Sequence, residues 1–262
     1  MVNTITLPKI ELKRWWLSMS NYRLMQGDCI ELMQQLPNNS VDLIVTDPPY
    51  EHIMGGMKSK KYNVGTWKAD SYINMKMSQF KKKDIFCFLD TAIPKMKKVN
   101  MFVFCSRLQL AHYFDYLNQH KKLKYDLLVW DKSSKDNKYS MKSSMFYTSD
   151  IEYVLRIYES GVHLFKVLTK DKSKSNYRYY MKRQKFAQPK GLHESMKPVE
   201  LLERYIKVST NEGDTVLDCF MGSGSTGVAA KQLKRNFIGM ELDPKYFEIA
   251  KKRIESAPIT LF

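Results

Sequence analysis

The feature that most constrains this chain is a short apolar run, VDLIVTD (41–47), that stops at Asp47-Pro48-Pro49-Tyr50. A run this short and this continuously apolar is the pattern of a central strand covered on both faces, as in a parallel sheet. The two prolines fix φ and remove two N–H donors, so the strand ends there in a rigid turn whose carbonyls need partners elsewhere. Asp47 is thereby placed at the carboxyl edge of a sheet, where α/β proteins form their ligand sites.

The rest of the chain supplies the helices that parallel strands require. YRLMQGD reads as a strand and CIELMQQL as a short helix stopped by Pro37. DIFCFLDTAIPKMKK reads as a helix that continues through Pro94, NMFVFC as a buried strand, and 107–120 as a helix. LKYDLLVW and DIEYVLRIY are strands. KPVELLERYIKVS is an amphipathic helix, DTVLDCF a strand, 225–234 a helix, NFIGMEL a strand and PKYFEIAKKRI a helix. This alternation predicts a single α/β domain over 1–262 with a parallel sheet. No apolar run is long enough for a membrane-spanning helix, and the first residues lack the apolar core of a signal peptide, so a cytoplasmic location is expected. Cys29, Cys87, Cys105 and Cys219 form no CxxC pair, and the last three lie in or beside apolar segments. They read as buried reduced thiols, with no metal site implied.

Charge adds a partner. The chain has 43 Lys and Arg against 27 Asp and Glu, a net +16. Segment 51–83 has eight basic and two acidic residues, 121–142 has seven and three, and 156–190 has ten and two. The remainder is close to neutral, and positive charge confined to segments suggests a face for a polyanion such as nucleic acid. Segment 156–190 also interleaves Phe165, Tyr177, Tyr179, Tyr180 and Phe186, rings able to stack on bases. It reads as a module inserted in the domain, a candidate target-recognition segment over 156–192; 51–83 reads as a mobile basic loop.

TVLDCFMGSGSTG runs strand, tight glycine turn, helix. Gly222 and Gly224 let the backbone turn sharply and approach a ligand, and the following helix start offers free amides, with Ser225 or Thr226 able to cap it. The next strand ends at Glu241, placed to accept hydrogen bonds from ribose hydroxyls. The turn matches neither GxGxxG nor GxxxxGK[ST], and no lysine follows its last glycine directly. A nucleoside cofactor without a pyrophosphate fits this combination.

The tetrad suits one chemical problem. An exocyclic aryl amine is a poor nucleophile because its lone pair is delocalised into the ring. Acceptors for both N–H groups favour a pyramidal nitrogen that can attack, and the Asp47 carboxylate and Pro48 carbonyl are such acceptors. Tyr50 supplies a flat face for a base extruded from its stack. No covalent enzyme intermediate is needed.

With both elements in view, the chain resembles the amino-methylating DNA methyltransferases, whose marks are a [DNS]-PP-[YFW] tetrad and an FxGxG cofactor loop. The tetrad precedes the loop here, the order of the permuted beta class, and Asp at position 47 resembles the adenine-N6 members. The resemblance runs from about residue 22 to 255 and implies a circularly permuted Rossmann-like sheet with helices on both faces, S-adenosyl-L-methionine as cofactor and DNA as partner. It places Asp28 near the cofactor adenine and Lys197, of HESMKPVELLERYI, near the methionine end. Asp218, Phe220, Gly222, Gly224, Ser225, Thr226 and Glu241 complete the expected cofactor site, with Asp218 open between capping the turn and direct contact. Arg178, Tyr180, Lys182, Arg183 and Lys185 are the candidate DNA contacts, gripping phosphate more than reading sequence. Tyr62 and Trp67 are candidates for clamping the substrate, and His193 reads as a surface histidine. The tetrad is followed by Glu51-His52, a departure from the family pattern, and the recognition region is short; relatives often dimerise, so a homodimer is expected. Cytosine-N4 methylation, RNA adenine methylation and a non-catalytic nucleic-acid-binding subunit stay open as alternatives.

Overall fold

A computed structural model of the chain describes residues 21–50, 80–131, 151–162 and 196–259. Its strands are β1 (Tyr22–Gln26), β2 (Leu43–Thr46), β3 (Asn100–Cys105), β4 (Leu123–Asp131), β5 (Ile151–Glu159), β6 (Thr215–Asp218) and β7 (Asn236–Glu241). The helices are α1 (Cys29–Gln34), α2 (Lys82–Ala92), α3 (Leu110–Gln119), α4 (Val199–Ser209), α5 (Ser225–Gln232) and α6 (Pro244–Ser256). The strands form one sheet in the order β1-β7-β6-β2-β3-β5-β4. β1, β7, β6, β2 and β3 pair in parallel. β5 runs antiparallel to both β3 and β4, so the sheet is mixed where the sequence predicts a parallel one.

Side-chain alternation assigns the two faces. Ile44, Met101, Val103, Leu155, Ile157 and Leu217 join a core with residues of α1, α2 and α3. Leu43, Val45, Phe102, Phe104, Val154 and Val216 join a second core with α4, α5 and α6. A strand buried on both faces gains from apolar residues at every position, which is why β2 and β3 read as unbroken runs. Phe102 stacks on Tyr205 of α4 with centroids 4.5 Å apart, closing the second core.

Three local readings are corrected. The helix of DIFCFLDTAIPKMKK ends at Ala92, and Ile93–Lys95 continue as a 3₁₀ turn with Pro94 near its start, because a proline cannot serve an α-helix interior. The candidate recognition segment begins too early: residues 156–158 also lie in the strand read as DIEYVLRIY, β5 runs to Glu159, and Ile157 is wholly buried against the core. Cys87 is exposed on α2, whereas Cys29, Cys105 and Cys219 are buried, and all four are free. Among the described residues no helix is long and apolar enough to cross a membrane, and no group of His, Cys, Asp and Glu is arranged to hold a metal ion.

Candidate active site at the carboxyl edge of the sheet

β2 and β6 are neighbours in the middle of the sheet although residues 47–214 separate them in sequence. Both end at the same edge, one in the Asp47–Tyr50 turn and the other in the glycine turn. A hydrogen bond joins the two ends, donated by Thr46 Oγ1 to Asp218 Oδ1 at 2.8 Å. Asp218 also accepts from the Phe220 amide at 3.1 Å, so it caps the turn, the first of the two roles left open for it. Burial pushes its carboxyl up to about 6, against hydrogen bonds from Thr226 and Thr46 that pull it down.

The glycine turn is fastened on every side. Glu241 Oε2 accepts from the Gly222 amide at 2.9 Å and Oε1 from the Asp243 amide at 2.9 Å. The carboxylate expected to meet a ribose thus also shapes the loop. Gly222 adopts φ of 49°, and a Cβ there would meet nothing within 4 Å, so this glycine faces open space. Gly224 adopts φ of 83°, and its Cβ would lie 2.9 Å from that of Ala250, so it serves close packing on α6 as much as ligand approach. Gly224 is also the N-cap of α5, with no side-chain cap. This corrects the expectation that Ser225 or Thr226 caps the helix; both are buried, Thr226 toward Asp218 and Ser225 Oγ 3.4 Å from Arg253. Arg253 of α6 also reaches the Ser223 carbonyl at 2.6 Å and so braces the loop from below. The Phe220 ring packs edge-on against Phe80, with centroids 5.4 Å apart, and against Phe88 at 5.8 Å. Asp28 caps α1, accepting from the Ile30 amide at 2.8 Å; the Gly27 amide before it reaches the Glu241 carbonyl at 2.9 Å, which brings the end of β1 alongside the end of β7.

At the tetrad, Lys197 makes a close ion pair with Asp47 Oδ2 and lies 3.3 Å from Glu152 Oε2. Its ammonium also sits 5.1 Å from the centroid of the Phe104 ring and 5.9 Å from that of Tyr50. Burial alone would lower the Lys197 ammonium, but the two carboxylates overcome it and hold its pKa above the usual value. Lys197 is therefore a cation at this site, in contact with the tetrad itself. The Tyr50 hydroxyl donates to Glu152 Oε2 at 3.1 Å, and burial holds that phenol well above its usual pKa. Among the described residues, buried Asp47 Oδ1 has no hydrogen-bond partner. Burial raises the Asp47 carboxyl, Lys197 lowers it and Glu152 raises it, with a net upward shift.

Glu152 is the site residue that the sequence analysis missed. Its only signal is a carboxylate at the start of the largely apolar strand IEYVL, and its relevance depends on β5 running antiparallel. That direction brings the start of β5 to the edge where the parallel strands end, with Tyr153 opposite Cys105. Gln109, also missed, fastens the Pro49 carbonyl. Arg178, Tyr180, Lys182, Arg183, Lys185, His193, Tyr62, Trp67 and most of segments 51–83 and 156–190 lie outside the described residues.

A family model described as DNA methylase, of the N6 and N4 type, matches residues 41–252, from the strand before the tetrad into the last helix. The chain belongs to this family of DNA methylases. Among its curated relatives, the type II methyltransferase M2.DpnII of Streptococcus pneumoniae is 30% identical over 247 residues, covering 89% of each chain. M1.HpyAVI, solved as a complex with SAM, superposes with a TM-score of 0.61 at 25% identity, over 89% of this chain and 98% of that one. The PvuII DNA methyltransferase, described as cytosine-N4-specific, shares the fold with a TM-score of 0.65 at 16% identity, over 92% of this chain and 89% of that one. The seven-stranded sheet with helices on both faces is the methyltransferase fold expected from the sequence.

Proposed function

We propose that this DNA methylase transfers the methyl group of S-adenosylmethionine to the N6 amine of an adenine extruded from DNA, with the Asp47–Tyr50 tetrad as its catalytic site. The observation that carries the reading is the divided Asp47 carboxylate: Oδ2 is held by Lys197, while buried Oδ1 has no hydrogen-bond partner among the described residues. A buried acceptor left unmet costs free energy, on the order of 1–3 kcal/mol, which an incoming N–H donor recovers.

The residues of the neighbouring turn fit the methyl donor. Gly222 opens onto free space, so backbone can approach a ligand there, and Glu241 stands one strand away with a carboxylate suited to ribose hydroxyls. When bound, S-adenosylmethionine supplies a methyl group activated by its sulfonium. Asp28, just beyond β1, and the turn from Phe220 to Thr226 lie at the same edge. Asp47 Oδ1 and the Pro48 carbonyl accept the two N–H groups of the amine and favour its pyramidal form. Asp47 Oδ1 is then placed to take the proton that the methylated nitrogen sheds. The Tyr50 ring stacks on the base, its tilt set by the hydrogen bond to Glu152. Lys197 holds Oδ2 and favours the charged carboxylate, without which the amine has no strong acceptor.

Adenine rather than cytosine is supported by Asp at position 47, in the manner of the adenine-specific relatives, and the tetrad preceding the glycine turn supports the beta class. The basic segments of the sequence, with Arg178, Tyr180, Lys182, Arg183 and Lys185, are the proposed grip on the DNA backbone. A cytosine-N4 reading draws on the shared fold with the PvuII enzyme, and the amine chemistry serves either base. Expression in cells without endogenous methylation, followed by mass analysis of nucleosides from DNA and from RNA, tests the proposal. N6-methyladenine in DNA is expected. N4-methylcytosine would move the assignment to the other base, and absence of both from DNA would overturn it.

A further inference from the structure

We propose that Gln109 is a positioning residue for methyl transfer, fixing the one soft torsion between Asp47 and Tyr50. The inference rests on the function proposed above and adds a residue outside the tetrad and outside the cofactor turn. Along Asp47-Pro48-Pro49-Tyr50, proline rings lock φ at positions 48 and 49. A following proline also restricts ψ, so Asp47 and Pro48 are both confined to extended conformations. Pro49 is followed by Tyr50, and its ψ is free of that restriction. That torsion orients the peptide plane that carries Tyr50 relative to the Asp47 carboxylate, and something outside the tetrad has to set it.

Gln109 does so. It is 1% exposed and lies where the turn after β3 enters α3. Its side chain caps nothing in its own helix. Instead Nε2 donates to the Pro49 carbonyl at 3.0 Å and to the Phe80 carbonyl at 2.9 Å, while Oε1 accepts from the Ser106 amide at 3.1 Å. One buried carboxamide thus uses both donors and its acceptor to tie the tetrad to the end of β3 and to the residues before α2. Phe80 in turn packs on Phe220 of the glycine turn. Fixing the Pro49 carbonyl orients the peptide plane that leads into Tyr50. The ring is then held from its backbone by Gln109 and from its hydroxyl by Glu152.

Two substitutions test this. Gln109→Met keeps the volume and loses all three hydrogen bonds. Gln109→Glu keeps the acceptor for Ser106 and loses both donors, setting a carboxylate against two carbonyls. Turnover on DNA is measured per cofactor-binding site, counted by calorimetry, so that misfolded protein does not enter the rate. Both variants are expected to lose kcat by roughly 10–100-fold, the scale of a misplaced reacting geometry, with S-adenosylmethionine affinity within about twofold of wild type. Wild-type kcat in either variant that binds cofactor would overturn the inference. Loss of cofactor binding in both would overturn it too, since Gln109 would then be holding the fold. If the wild-type protein itself transfers no methyl group to DNA, it is the proposed function that fails, a result separable from any behaviour of the variants.

Discussion

The glycine turn after β6 and the tetrad after β2 sit side by side, joined through Thr46 and Asp218, yet they are built on opposite plans. At the glycine turn the carboxylates are satisfied: Glu241 accepts two backbone amides, Asp218 accepts from Thr46 and Phe220, and Arg253 braces Ser223. A loop with its polar groups met is already in its final shape, so a ligand that binds it meets little ordering cost. At the tetrad the valences are incomplete. Asp47 has one oxygen on Lys197 and the other without a partner among the described residues, with Glu152 adding a second carboxylate around the same ammonium. On the proposed function, one neighbour is built to hold and the other to react. Stability is given up at the second, as expected where charge must be presented to a substrate without water.

Substitution of Asp47 should separate the two plans most sharply. Asp47→Ala removes the acceptor proposed for the amine and leaves the contacts of the glycine turn in place. Methyl transfer is expected to fall by on the order of a thousandfold or more, with cofactor affinity within a few-fold of wild type. Full activity in this variant would refute the division between the two regions.

Lys197→Met probes the tetrad through its cation. Burial and Glu152 both raise the Asp47 carboxyl; Lys197 is the main group that opposes them, with a smaller contribution from Tyr50. Without it the carboxyl rises further, so the proton is held to higher pH and the amine loses its acceptor. The acid limb of kcat therefore moves to higher pH. Activity at neutral pH falls on the order of tenfold and recovers as pH rises. A pH–rate profile in which the acid limb stays where it is in wild type would show that Lys197 does not govern Asp47.

The same contrast explains what could be read from the sequence. The glycine turn was legible because its determinants are local: a strand, two glycines at positive φ, a helix and one acidic residue at the next strand end. The tetrad was legible in part, because a strand stopped by two prolines is also a local statement. Lys197 was recognised, but for the cofactor, since nothing in HESMKPVELLERYI says that its ammonium reaches a residue 150 positions earlier. Glu152 and Gln109 were not legible at all. Each acts through strand direction or a turn packed against a distant segment. The assumption of a parallel sheet put the start of β5 at the wrong edge, away from the site. The helix through Pro94 and the early start of the recognition segment have a simpler origin. The apolar period runs past Pro94, which cannot continue an α-helix, and the basic composition of 156–190 overlaps the end of the strand DIEYVLRIY.

The smallest effect is expected at the satisfied cradle. Glu241→Ala removes the acceptors of the Gly222 and Asp243 amides together with the carboxylate proposed for the ribose. Two amides then lose their partners and regain only what water or a shifted backbone provides, so the turn loosens without the sheet coming apart. S-adenosylmethionine should bind roughly tenfold more weakly by calorimetry, the scale of one or two charge-assisted hydrogen bonds. At saturating cofactor, kcat should return to within about threefold of wild type, because the acceptors for the amine belong to the other strand. A kcat that stays low at saturation would mean that the glycine turn also aims the methyl group, and the line between holding and reacting would have to be drawn inside β6 rather than between β6 and β2.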